Sequence, residues 1–329
     1  MSHTTVSTAV LEETIQLACR APSFHNSQPW RWIDTGQALE LHLDPARLVQ
    51  SDTSGRLALL SCGAVLDHLR VAMRAAGWTT NVDYYPNPND HKHIASLDFT
   101  AAPFVTDGHK QRAHAIRTRR TDRLAYAAPP DWDRLESTVR QAVGDAAIVD
   151  VLGDGARPEL VRASALAEAD RLYDVAYHAD LDWWTSSFDP AVGIPHSALV
   201  SSAEGDRVGL GRQFPVTHHG DRRPEVGDDR AEIVVLSAHE DTRLDVLRCG
   251  EALSAVLLDA TMAGAASCTL THLTELPSGL AVVRALTGRE LPQVLIRIGV
   301  APAGEESPAP TPRRPLREVF TADHPSRPD

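Results

Sequence analysis

One pattern of signals occurs twice in this chain, and that repeat limits what it can fold into. In the first copy, the alternating stretch Ala38 to Leu43 leads to Cys62-Gly63 within a long apolar run, Leu57 to Ala76, closed by Gly77. In the second, Glu232 to Leu236 leads to Cys249-Gly250 within Leu244 to Ala263, closed by Gly264. The spacing from cysteine to closing glycine is the same in both, and Leu66 matches Leu253 as Ala76 matches Ala263. One more strand-like segment follows each copy, Ile94 to Phe99 and Val294 to Val300. Few letters are identical, but the matching order of elements makes duplication the better account. A chain of 329 residues is long for one core and comfortable for two related ones. The repeated cysteine reads as a small buried residue, because thiols in apolar helices are inert.

The remaining elements are read from periodicity. Val10 to Ala21 has helical spacing and is stopped by Pro22. Trp30, Trp32 and Ile33 alternate like a strand. Trp132 to Val143 and Pro158 to His178 read as helices, Ile148 to Leu152 as a strand, and Leu316 to Phe320 as a short amphipathic piece. Between Leu181 and Asp229 the pattern weakens into Gly, Pro, Ser, His and Asp, after Trp183, Trp184 and Phe188. A polar stretch of that length is usually a lid or binding loop. Trp183 and Trp184 fit core anchors better than substrate stackers, and Asp180-Leu181-Asp182 a solvated helix end better than an acid–base pair.

Composition excludes several classes. No apolar run reaches the roughly 18 residues of a membrane span. Met1 to Val10 lacks a basic segment followed by an apolar one, which argues against a secretory leader. Lys and Arg total 32 against 44 Asp and Glu, a balance that repels nucleic acid. Cys19, Cys62, Cys249 and Cys268 form no CxxC pair, so a reduced, cytoplasmic protein is expected. The motifs G-x-S-x-G, H-E-x-x-H and Walker A are absent. His218-His219 lacks the spacing of a metal site, and none is expected. Arginines cluster at Arg117, Arg119, Arg120 and Arg123, and again at Arg313, Arg314 and Arg317. Each cluster is either a solvated face or an anion site.

Two segments choose between these readings. Ala21-Pro22-Ser23-Phe24-His25-Asn26-Ser27-Gln28-Pro29-Trp30 resembles the nitroreductase-family signature A-P-S-x-x-N-x-Q-P-W, and all seven defined positions match. Ile116 to Leu124 resembles that family's I-x-x-R-R-S-x-R-x-F, with Thr121 for the usual Ser and Leu124 near the usual Phe. In the family, this second segment grips the ribityl chain and phosphate of FMN, a task suited to guanidinium forks. The resemblance implies an α+β fold, an α/β three-layer sandwich. It also implies FMN as cofactor, with Pro22, Ser23, Phe24, His25, Asn26 and Gln28 on one side of the site. Arg119, Arg120, Thr121 and Arg123 would face them. Leu270, Thr271 and His272 fall where the family places backbone groups beside the flavin ring. Pro312 to Val319 resembles the closing segment, with Arg313 or Arg314 returning to the phosphate.

Family members are usually dimers, with the first segment from one subunit and the second from the other. Here each segment occurs once, in different halves. The chain therefore resembles the fused, Acg-type group known from actinobacteria, two tandem halves forming an intramolecular pseudo-dimer with one site. The halves would span 1–108 and 109–329, the second with a lid at about 181–229, and the chain would need no second copy of itself. The activity implied is NAD(P)H-dependent reduction of a small aromatic acceptor such as a nitroaromatic or quinone. The alternative is a flavin-sequestering protein whose lid covers the cofactor.

Overall fold

The computed structural model describes residues 6–186, 193–215, 217, 220–303, 305 and 310–323. Phe188, His218 and His219 lie outside them. The chain opens with helix α1 (Thr8–Ala18), capped by the Ser7 side chain, and then strands β1 (Trp30–Asp34) and β2 (Leu39–Leu43). Helix α2 (Arg56–Ala75) follows, then β3 (Trp78–Tyr84), β4 (His93–Ala101) and α3 (Asp107–Thr118). The same order then recurs: α4 (Trp132–Val143), β5 (Ile148–Leu152), β6 (Glu232–Ser237), α8 (Arg243–Met262), β7 (Ala266–Leu270) and β8 (Pro292–Gly299). Between β5 and β6 lie α5 (Arg157–Arg171), α6 (Val175–Thr185) and α7 (Ser202–Val208). Between β7 and β8 lie α9 (His272–Glu275) and α10 (Pro277–Thr287), and the tail ends in α11 (Leu316–Val319) and β9 (Phe320–Ala322).

Two sheets result, ordered β3-β4-β2-β1-β9 and β5-β6-β8-β7. Reversing the second gives β7-β8-β6-β5, which is the first without its last strand. The repeat seen in the sequence is therefore a repeat of topology. Strand β9 pairs parallel with β1, Trp32 opposite Phe320, so the end of the chain returns to the first sheet.

Helices α2 and α8 are buried along most of their length, and their charged residues Arg70 and Glu251 pair with each other. Their crossing is set by two glycines. A Cβ on Gly63 would lie 2.0 Å from the Leu247 carbonyl oxygen, and one on Gly250 would lie 2.2 Å from that of Leu60. The two contacts mirror each other, each glycine meeting the residue three places before its counterpart. Beside them, burial pushes the Cys62 and Cys249 thiols up to about 12, consistent with inert core residues. One continuous cluster of buried apolar residues runs from Leu11 and Trp30 through Leu66 and Leu253 to Ile296.

The structure departs from the sequence reading in several places. The helix expected over 158–178 is two helices, α5 and α6, because the Asp174 side chain accepts from Tyr177 N and starts a new one. Strands β3 and β7 and helix α10 are additional. Trp184 is buried with its indole N–H on Asp180, but Trp183 is 64% exposed and anchors no core. Asp180 is buried, accepting from Ser51 N and Oγ and from Trp184, and is no solvated helix end. Among the described residues, no helix is long and apolar enough to cross a membrane.

The crossing yields a test. Gly63→Ala or Gly250→Ala should cost at least ~3 kcal/mol in denaturant unfolding, because two backbones must separate. Gly264→Ala, where nothing lies within 4 Å of the added carbon, should cost only about 1 kcal/mol from its left-handed backbone. Equal losses at the three positions would contradict the close approach.

Candidate functional site

The loop after α1 is held in an unusual backbone conformation. His25, Asn26 and Gln28 have φ of 51°, 57° and 53°, a region that costs side-chain-bearing residues energy and persists where surroundings enforce it. Gln28 N donates to Ser23 Oγ at 3.0 Å and Phe24 N to Ser61 Oγ at 3.1 Å. Asn26 Nδ2 donates to the carbonyls of Gly193 (2.9 Å) and Pro312 (3.2 Å), tying the loop to both the segment after α6 and the tail.

This loop forms one wall of a cavity of about 1250 Å³. Every sequence-predicted site residue lines it except Gln28 and Arg314. Gln28 turns away: its Oε1 accepts from Arg314 N, and its Nε2 donates to Asn26 O. Arg314 is buried against Asp44 at 3.2 Å and also donates to the Gln28 and Glu318 carbonyls. These two side chains clamp the tail to the first sheet and do not face the cavity. Of the two tail candidates, Arg313 is the one at the cavity wall. Sequence reading missed Arg20, Ser61 and Arg212 there. Arg20 stands one residue before the matched signature, and Ser61 one before the repeated Cys-Gly, but neither position by itself signals a ligand.

One end of the cavity is strongly positive. Arg20, Arg117, Arg119, Arg120 and Arg313 line it, and among the described residues none of the five has a carboxylate partner. Arg313 spends its hydrogen bonds on the carbonyls of Cys19, Arg20 and Ala21 and of its chain neighbours Thr311 and Pro312. Arg119 is buried, and its Nε has no hydrogen-bond partner among the described residues. Burial first, and the neighbouring Arg20 charge second, push Arg119 down to about 10. Burial, Arg119 and Arg20 push Arg313 down to about 9. Cations that lower one another in this way lack an anion.

The other end is aromatic. The Phe24 and His25 rings stack with centroids 4.0 Å apart, and Phe214 meets His25 edge-on at 6.2 Å. Arg123 lies over Phe214 at 5.1 Å and donates to the Ala198 carbonyl at 3.2 Å. Arg212 is fixed by Glu275 and by the Tyr177 hydroxyl at 2.8 Å, and faces the Phe24 ring at 5.4 Å. Both histidines here are neutral. Burial, then Arg212, holds His272 at about 3, and the same causes with Arg123 hold His25 well below its ordinary value. His272 Nε2 pairs with Ser164 Oγ at 2.8 Å, while His272 Nδ1 and both His25 nitrogens have no partner among the described residues. Leu270 ends β7 at this wall, and Thr271 Oγ1 donates to Glu275 at 2.7 Å. The backbone of Thr121 bridges to Ser267, bringing the arginine segment against β7.

The repeat predicts an equivalent position on the other side of the α2–α8 crossing, and two tyrosines stand there. Counted from Gly77 and Gly264, Tyr84 and Tyr85 stand where Thr271 and His272 stand. Tyr84 donates to Glu251 at 3.0 Å, and Tyr85 to the Arg243 carbonyl at 3.2 Å. Burial pushes both phenols up to about 12.

No family model matches the chain. A Mycobacterium tuberculosis protein named as a candidate NAD(P)H nitroreductase, Acg, is 58% identical over 97% of this chain and 98% of its own. An uncharacterised protein of the same organism is 50% identical over 94% of this chain and 92% of its own. The crystal structure of the FMN-dependent nitroreductase NfnB from Mycobacterium smegmatis, in complex with NADPH, aligns with 64% of this chain and 96% of its own, at 18% identity and a TM-score of 0.38. At the identity and coverage shared with the first of these, the chain belongs to the nitroreductase family, in its Acg-like group.

Proposed function

We propose that the cavity holds one FMN per chain and that the protein is an FMN-dependent oxidoreductase taking electrons from NAD(P)H and passing them to a small aromatic acceptor. The observation that carries this reading is the arginine pole. A set of guanidinium groups at the cavity wall without carboxylates, Arg119 among them buried, suits the dianionic phosphate of FMN, which would replace mutual repulsion with charge-assisted hydrogen bonds. Arg119 and Arg120 would hold the phosphate with Arg20, Arg313 would add positive charge at the wall while its N–H groups stay on carbonyls, and Thr121, Ser23 and Ser61 offer hydroxyls along the cavity. The unpartnered nitrogens of His25 and His272 fit a polar heterocycle better than an apolar guest. Bound there, FMN would supply the acceptance and return of hydride.

The chain's own residues do the rest. Arg212, locked by Glu275 and Tyr177, sets a fixed positive field at the aromatic end. His25 and His272, uncharged at neutral pH, add hydrogen-bonding capacity without further repulsion. Product protonation is left to solvent, so no acid–base pair is required. The cavity exceeds the roughly 300–1,000 Å³ of most small-molecule sites, which leaves space beside a cofactor for a second ring. This reading keeps the chain divided at about residue 108, with a monomer sufficient for the site and the cytoplasm as its compartment.

A second reading rests on the segment 193–214. Gly193 is bonded to Asn26, Ala198 to Arg123, and Phe214 packs on His25 and Arg123. A cover this well attached favours a protein that holds flavin without turnover. Anaerobic NADPH separates the two: prompt bleaching of the flavin absorbance is expected for the oxidoreductase, and bleaching by dithionite alone would leave sequestration.

Arg119→Ala and Arg313→Ala should each weaken FMN binding by about 1.5–3 kcal/mol, about 10- to 150-fold, measured by fluorescence quenching. Affinity should also depend on pH. Between about pH 7 and pH 9 the phosphate is a dianion, both guanidiniums are charged in the free site, and affinity is flat. Above that range, Arg313 must take up a proton to bind the phosphate, so affinity should fall by up to ~tenfold per pH unit. Unchanged affinity in both variants would remove the phosphate assignment.

A further inference from the structure

On the face of the first sheet opposite the core, three ligand-type side chains converge. Glu40 and His42 are two apart on β2 and so point the same way. His93, on β4, is paired directly across from His42, at a point where the β2–β4 register shifts between Leu41 and His42. Such bulges re-aim side chains. The two imidazoles lie nearly parallel, 4.4 Å apart at 16°. Glu40 Oε2 is 2.9 Å from His42 Nε2 and 3.9 Å from His93 Nε2. One ligand atom from each of the three falls within 4.8 Å of the others, and all three side chains are partly buried.

We propose that Glu40, His42 and His93 form a binding site for a divalent transition-metal ion of the zinc type, separate from the cavity. Two imidazoles and one carboxylate are a borderline donor set, suited to Zn²⁺ and ill-suited to Mg²⁺ or Ca²⁺, which want oxygen ligands. Three protein ligands leave room for water in the remaining position. Asp90, within electrostatic reach of both rings, adds negative charge, and Lys92 opposes it. The Ser96 hydroxyl, 3.1 Å from His93 Nε2, is the group an ion would displace. Occupied, the site is a clip between β2 and β4, two residues before Asp44, which clamps Arg314. The ion therefore stabilises the sheet that receives the tail.

The test is titration of the full-length, flavin-loaded protein with ZnCl₂ by calorimetry, alongside thermal unfolding and the visible absorption of the Co²⁺ form. The expected result is one saturable Zn²⁺ per chain, with a melting temperature that rises with its concentration. His42→Ala, His93→Ala and Glu40→Gln should each weaken that binding more than about tenfold, since loss of even an outer partner of a metal ligand costs that much. Flavin content per chain serves as the folding control and should not change. Absence of saturable binding, or binding unaltered in all three variants while flavin content is kept, would overturn the site. The latter result would place the ion elsewhere and leave Glu40–His42 as an ordinary ion pair.

Discussion

The crossing of α2 over α8 is the contact on which the rest depends. Gly63 and Gly250 let two backbones approach until each glycine touches the other helix's carbonyl, and no other residue fits at either position. The contact is reciprocal, as in the isologous interface of a symmetric dimer. Because both glycines are in one chain, the interface forms intramolecularly and cannot be lost on dilution. Everything flanking the crossing is held relative to it: the signature loop on Ser61 of α2, the arginine segment on β7, which follows α8, and the tail on β1.

Covalent fusion frees the two sides of a symmetric contact to diverge. On one side, small and polar residues line an open cavity, and the arginines at its wall, the buried Arg119 among them, are left without carboxylate partners among the described residues. On the other, Tyr84 and Tyr85 stand at the equivalent positions and satisfy their hydroxyls within the protein. The difference is energetic as well as steric. An arginine pole with depressed basicity costs stability until an anion arrives, and a chain retains such a feature for a ligand. On the other side Tyr84, Glu251 and Arg70 form a closed set of partners, although burial still pushes Glu251 up to about 7.

Much of this was legible in the sequence, and the exceptions have identifiable causes. The order of elements was readable because each long helix ends at a glycine and carries the same Cys-Gly. Strand β3 was not, since its residues are all half-buried or exposed and show no clean alternation. Helices α5 and α6 read as one because Leu172 and Tyr173 continue the apolar spacing while standing in solvent. At the site, a motif gives which residues belong together but not where each side chain points. Gln28 and Arg314 match their segments, yet each is the other's partner, because the left-handed turn at Gln28 aims the side chain at the tail. Arg212 was unreadable: it lies in an irregular segment, and only the fold brings Glu275 and Tyr177 to it. The Glu40–His42–His93 cluster was hidden for the same reason, since β4 reaches β2 across half the length of the first repeat.

The central claim is that one chain, folded on itself, makes one competent site and one counterpart where two tyrosines stand. The direct measurement is the flavin released on denaturation per chain, after saturation with FMN and removal of the excess. One FMN per chain is the predicted result. Two would mean that the side occupied by Tyr84 and Tyr85 is a site as well, and none would mean that the arginine pole serves another anion; either contradicts the account.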